Sequence, residues 1–124
     1  MNKGSIPKKM PTEQQALQLL GLCAKQGAVK SGEFSADKAI KEQKAKLCIV
    51  SADASDNTKK GFSDACKFYK VPFRIFSDRE KLGKAIGFEF RVSLCVTNEG
   101  LANKITEIID SLQDVPDSCG IGGN

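Results

Sequence analysis

The sequence predicts an α/β fold: a single-domain, three-layer α/β/α sandwich with a mixed sheet of about four strands. Three observations carry this reading. Segments with helically spaced apolar residues alternate with short β-rich runs along the chain, the pattern of helices covering a sheet. One run, Leu47-Cys48-Ile49-Val50, is apolar without interruption, as a strand buried on both faces must be. The 124 residues suffice for one hydrophobic domain, and they contain neither an internal repeat nor a composition break that would mark a second.

Residues 1–11 read as a flexible basic arm carrying Lys3, Lys8 and Lys9. Thr12 and Gln15 have capping-box spacing. They open a helix whose apolar face is Ala16, Leu17, Leu20, Cys23 and Ala24, and Gly27 suits its end. Residues 28–31 form a short strand that Gly32 breaks. A second helix follows, with Phe34, Ala36, Ala39 and Ile40 at its apolar positions. Behind the 47–50 strand, Ser55 or Asp56 caps a third helix with Phe62, Ala65, Cys66 and Tyr69 as its core stripe. Residues 73–76 are the next strand. Ser77 and Glu80 repeat the capping-box spacing before a short helix carrying Leu82, Ala85 and Ile86, which Gly87 ends. Residues 91–96 form the last strand. Asn98 starts a final helix with Leu101, Ile105, Ile108, Ile109 and Leu112 on one face. Residues 113–124 are Gly-rich and acidic without periodicity, so a disordered tail is expected. The folded domain is therefore placed at 12–112.

The net charge of +4 is unevenly spread. Residues 1–84 carry 17 basic and 9 acidic side chains, whereas residues 85–124 carry 2 and 6. Such segregation suits a protein that meets a polyanion on one side. The chain has no histidine, which excludes Ser/His and Cys/His nucleophile pairs and removes the commonest zinc ligand. Phosphate-binding and dinucleotide-binding glycine motifs are absent, as are metal-ligand clusters. Asp53 follows a buried strand as a phosphoacceptor would, but Lys30-Ser31 stands where the partnering acidic pair is needed. No catalytic activity and no cofactor are expected. Five cysteines, an odd number without a CxxC pair, read as free and mostly buried thiols in a cytoplasmic protein. No run of about 18 apolar residues is present, and residues 1–11 lack the apolar core of a secretory signal, so no membrane association is expected.

Two stretches can carry binding. In Lys30-Ser31-Gly32-Glu33-Phe34-Ser35-Ala36-Asp37-Lys38, a glycine at a strand-to-helix junction permits close backbone approach. The following helical turn offers free N–H groups to phosphate. Lys30 and Lys38 flank this turn, and Lys41 lies one turn on. In Gly87-Phe88-Glu89-Phe90-Arg91, two aromatics and an arginine fill a loop, the side chains that stack on unpaired bases. At least one of the two phenylalanines is expected to turn inward.

The ordered set of Gly32 through Lys38-Ala39-Ile40, the segment 44–55, Val71-Pro72-Phe73 and Glu80-Lys81-Leu82-Gly83-Lys84-Ala85-Ile86-Gly87 resembles the ribosomal L7Ae/L30e superfamily, most closely its bacterial YlxQ-like group. The likeness covers roughly residues 12–110. It implies an α/β/α sandwich that binds kink-turn RNA, commonly as a monomer without a cofactor. In that family the glycine and the next helix start lie against the sheared G·A pairs of the kink, and a loop at the sheet end covers a flipped-out base. By position, Gly32 matches the family glycine and Lys38 the helix lysine. The 88–91 loop, with Phe88, Phe90 and Arg91, matches the covering loop, and Asp53 an acidic loop position. Phe34 and Ser35 replace the family's usual Asn or Lys followed by Glu or Gln.

The expected function is therefore binding of structured RNA, a ribosomal or other kink-turn RNA in a ribosome-associated setting. The expected contacts are Lys30, Gly32, Glu33, Phe34, Ser35, Lys38, Lys41, Asp53, Phe88, Phe90 and Arg91. The alternative is a protein-interaction adaptor that keeps the fold without specific RNA affinity.

Overall fold

Leu47, Cys48, Ile49 and Val50 form a strand, β2, that is buried at every residue. The other described elements are arranged around it. In order, the elements are α1 (Glu13–Lys25), β1 (Val29–Ser31), α2 (Glu33–Lys41), β2 (Leu47–Val50), α3 (Asp56–Tyr69), β3 (Phe73–Ile75), α4 (Arg79–Ala85), β4 (Ser93–Val96) and α5 (Glu99–Gln113). The computed structural model describes residues 12–113. The expected basic arm, Cys119 and all of the expected tail but Gln113 lie outside the described residues; Gln113 is the last residue of α5.

The sheet order is β1-β4-β2-β3. Strand β4 runs antiparallel to both β1 and β2, and β3 runs parallel to β2. Strands β1, β2 and β3 therefore point the same way, and their C-terminal ends share one edge with the start of β4. Alternation along the central strands separates two cores. Leu47, Ile49, Leu94 and Val96 pack with Ala16, Leu20 and Cys23 of α1, Leu82 of α4 and Ile105 and Ile109 of α5. Cys48, Val50 and Cys95 pack with Ala36, Ala39 and Ile40 of α2 and Phe62 and Cys66 of α3. The expected mixed-sheet α/β/α sandwich is the observed architecture.

Local chemistry sets the helix ends. Thr12 and Gln15 make the reciprocal capping box. Of the two candidates for α3, Ser55 is the cap, with its hydroxyl accepting from Thr58 N–H. Asn98 Oδ1 accepts from Leu101 N–H at 2.9 Å and opens α5. The expected Ser77–Glu80 box does not form. Asp78 caps α4 instead, accepting from Lys81 N–H at 2.8 Å, because a carboxylate is the stronger acceptor at a helix N-terminus. Ser77 adopts φ +61° and delivers its carbonyl to Ala52 N–H at 2.8 Å. The last strand starts at Ser93 rather than residue 91, since Arg91 N–H donates to Arg79 O.

Two residues expected on apolar helix faces do not face a core. Phe34 is 79% exposed and Leu112 is 40% exposed. Phe88 and Phe90 are both open to solvent, at 46% and 50%, so the expected inward turn of one of them is not made. Their loop is held by something else. Gly83, inside α4, has the backbone of Glu89 and Phe90 so close that a Cβ would fall 2.8 Å from Phe90 N and Cα. Phe88 N–H also donates to Gly83 O at 2.8 Å. The loop is thus laid directly on the helix backbone.

The other fixed points are ionic and thiol contacts. Arg74 of β3 binds Asp110 of α5 through two bonds, at 2.7 and 3.1 Å. Gln113 Nε2 donates to Ile75 O at 2.6 Å, so α5 satisfies part of the exposed edge of β3. Cys23, Cys48, Cys66 and Cys95 are free and buried. The Cys66 and Cys95 thiols, with burial, push the Cys48 thiol far above its ordinary range, so it stays protonated and inert.

Two stability outcomes follow from this packing. Ile105→Ala should cost about 2–5 kcal/mol in urea unfolding, as for other fully buried aliphatics, whereas Leu112→Ala should cost well under about 1 kcal/mol. Gly83→Ala should destabilise by about 1–3 kcal/mol through the backbone overlap with Phe90 and shift the amide resonances of residues 88–91. A neutral Gly83→Ala with unshifted resonances would remove the close contact as a constraint.

Candidate nucleic-acid interface

At the edge where β1, β2 and β3 end, three helices begin: α2 after Gly32, α3 after Ser55 and α4 after Asp78. Their dipoles all favour anions at this pole, and of the three only α2 has no side-chain cap on its first-turn N–H groups. An open groove of ≈ 580 Å³ lies there, lined by Gly32, Glu33, Thr58, Arg79, Phe90, Arg91, Val92 and Ser93.

Gly32 sets the shape of one wall. Its φ of +93° and ψ of 157° fall in a region that is essentially glycine-only. Its N–H donates to Ser93 O at 2.9 Å, and its carbonyl accepts from Ala36 N–H at 2.9 Å. A Cβ here would meet no protein atom within 4 Å, so the space above the junction is open. The opposite wall is the 88–91 loop. Arg91 is fixed on three sides: Nε donates to Ser31 Oγ at 3.0 Å, Nη1 donates to Phe90 O at 2.9 Å, and its Cζ lies 3.7 Å from the centroid of the Phe88 ring. Phe88 therefore orients Arg91 through a cation–π contact, while Phe90 lines the groove itself.

Arg79 is the residue that sequence reasoning missed. Its side chain donates to Asp53 O at 2.7 Å, and its Nε lies 3.3 Å from Asp53 Oδ2. Its backbone N–H donates to Asp53 Oδ1 at 3.1 Å. Asp53 does not line the groove; its contact in the structure is to Arg79, which it aims. The Asp53 carboxyl is held below the usual carboxylate range by the neighbouring Ser51 hydroxyl and then by the N–H and guanidinium of Arg79. Ser51 Oγ is buried and completes no well-formed hydrogen bond, so the Arg79 contacts are the geometrically defined ones. Thr58 was also missed. The legible signal for Arg79 was its place at the first turn of a helix leaving the same sheet edge as Gly32.

The remaining expected residues form a second group. Lys30, Phe34, Ser35 and Lys38 line a smaller hollow of ≈ 200 Å³ with Ala39, Glu42 and Lys44. Lys38 is exposed, with Glu42 at the limit of ion-pair distance, 4.0 Å. Phe34 also borders a third hollow between α2 and α3, lined by Glu33, Asp37, Asn57, Thr58, Gly61 and Phe62. Lys41 joins none of these surfaces. Asp37 holds it at 2.9 Å and raises its pKa.

Asp53 makes the Arg79 brace pH-dependent. Its folded pKa is lowered, so its stabilising contribution is complete above the ordinary carboxylate range and is lost as pH falls through the folded value. Asp53→Asn should therefore melt slightly below the native chain at neutral pH, and the two curves should merge in acid. A melting difference that is independent of pH would contradict the brace.

Comparison with known proteins places this geometry in context. Residues 14–106 match the family described as ribosomal protein L7Ae/L30e/S12e/Gadd45. The RNA-binding protein YlxQ of Bacillus subtilis (strain 168) is 44% identical over 92 residues, covering 74% of this chain and 92% of that protein. The RNA-binding protein YlxQ of Enterococcus faecium is 37% identical over 111 residues, covering 89% and 99%. A solved protein of unknown function from Bacillus halodurans superposes with a TM-score of 0.75 at 36% identity, covering 77% of this chain and 97% of that one. The 15.5kD RNA binding protein of Giardia lamblia shares the fold, with a TM-score of 0.68 at 24% identity over 91% and 98% of the two chains. With three quarters of its length matched by the family model and by close relatives, the chain belongs to the ribosomal protein L7Ae/L30e/S12e/Gadd45 family.

Proposed function

We propose that this protein binds structured RNA, and a kink-turn in particular, as a cytoplasmic, ribosome-associated monomer without catalytic activity. The observation that carries the reading is the convergence of Gly32, Glu33, Arg79, Phe90 and Arg91 on one groove in a chain whose relatives are RNA-binding proteins. The groove is mixed in charge rather than uniformly basic. That composition suits base edges, which need donors and acceptors, more than a phosphate backbone alone.

The roles divide by position. Lys30 and Lys38, in the hollow beside the groove, meet phosphates. Gly32 lets the RNA backbone approach, and Glu33 accepts from base amino groups. Arg79 and Arg91, each already oriented by protein contacts, donate in the groove without having to be ordered on binding. Phe90 offers a face to an unpaired base. Phe34, exposed beside Ser35, supplies a stacking surface where the family usually carries a polar pair. The same exposure supports one other reading, a protein contact at Phe34, which a nuclease-resistant pull-down lost in Phe34→Ala would favour.

Gel shifts against a kink-turn duplex and a plain duplex, each at two salt concentrations, test the proposal. The kink-turn should bind tighter at both. Lys38→Glu should weaken binding by about ten-fold or more with an unchanged melting temperature, since the side chain is exposed. Equal binding to both duplexes that collapses with salt would leave only non-specific attraction.

A further inference from the structure

We propose that the far end of α3 is a second RNA contact, a stacking platform for unpaired nucleotides centred on Phe68. The inference rests on the RNA-binding reading above and extends it to a part of the surface outside the groove.

Phe68 is 78% exposed, and no core requires it: the buried residues of α3 are Phe62 and Cys66. Its ring stands nearly perpendicular to Tyr69, at 74° and 4.9 Å between centroids. That contact holds the ring while leaving most of it to solvent. Lys67 and Lys70 flank it and are exposed. Among the described residues neither lies within ion-pair distance of a carboxylate, in contrast to Lys38, Lys41, Lys44, Lys60, Lys81 and Lys84. The β2–β3 register, Cys48 opposite Phe73, brings exposed Lys46 beside the 70–72 connection.

The helix dipole accounts for lysines at a helix C-terminus; it does not account for an exposed phenylalanine between two of them. An aromatic face between free cations is what single-stranded nucleic acid binds, with the ring taking a base and the lysines the phosphates on either side. The patch is also within reach of the groove. Thr58, which lines the groove, and Phe68 are ten residues apart on one helix, about 15 Å at the helical rise. An unpaired extension of a few nucleotides on an RNA held at the groove spans that distance, and the second contact then gains from its high effective concentration.

The test compares the full chain on a kink-turn duplex with the same duplex carrying an unpaired tail of about eight adenosines at either strand end. The tail should tighten binding about ten-fold. Phe68→Ala should abolish that gain while leaving the tailless affinity and the melting temperature unchanged. Phe68→Tyr should keep the gain, and Lys67→Glu with Lys70→Glu should lose it. Lys38→Glu should weaken both RNAs alike, which separates this contact from the groove. A gain that survives Phe68→Ala, or no gain with a tail at either end, overturns the proposal. A nuclease-resistant partner lost in Phe68→Ala, together with no tail gain, assigns the patch to protein and also overturns it. If the native chain binds neither RNA, the RNA-binding reading itself fails.

Discussion

Leu47 and Ile49 face one core while Cys48 and Val50 face the other, so β2 has no side that can meet water. A strand in that position has to be flanked by strands at both edges and covered by helices on both faces. The chain meets the requirement with strands β1, β2 and β3 running the same way, so that α2, α3 and α4 each start at one edge. The start of β4, running the opposite way, closes that edge. The consequence reaches the surface: α2, α3 and α4 all begin at one pole, and the positive ends of their dipoles face the same space. The groove is a by-product of burying β2, decorated afterwards by side chains.

What keeps the decoration in place is a small number of short contacts rather than a rigid hydrophobic support. The 88–91 loop has both phenylalanines exposed, so packing does not anchor it. It is anchored by backbone approach to Gly83 and by the Phe88–Arg91–Ser31 chain of contacts. Arg79 is anchored by Asp53, across from the end of β2. Both guanidinium groups are therefore oriented before any ligand arrives, which lowers the ordering cost of recognition. The price is exposure of aromatic surface that a non-binding protein would bury.

The two poles of the α2/α3 layer differ in charge. At the helix starts, arginines are interleaved with Glu33, Asp53 and Asp78, and most of these carboxylates already engage backbone or guanidinium groups. At the helix ends, exposed Lys67 and Lys70 flank Phe68, with Glu42 ending α2 and Asp64 one turn before Phe68. In the proposed reading, the mixed pole suits base edges, and an aromatic flanked by lysines suits an unpaired strand.

Much of this was legible in the residues themselves. The Leu47-Cys48-Ile49-Val50 run and the helical spacing of Ile105 and Ile109 state burial directly, because hydrophobic periodicity is a local property of a chain. Gly32 and the Thr12 and Ser55 caps are equally local, set by backbone conformation and the nearest hydroxyl. Phe90 and Arg91 of the groove were legible as well, whereas Arg79 and Thr58 were not. Arg79 becomes a binding candidate only when Asp53, 26 residues earlier, is folded against it. Gly83 matters only because Phe90 passes over it, and Phe68 differs from Phe62 only by the face of α3 on which it lies. The Ser77–Glu80 spacing pointed to the wrong cap, because the Ser77 carbonyl is taken by Ala52 from a distant segment and Asp78 caps instead. Spacing along the chain determined the elements and the glycine junction. The side chains that meet across the sheet's end were decided by tertiary structure, since contact between residues distant in sequence depends on the whole chain's packing.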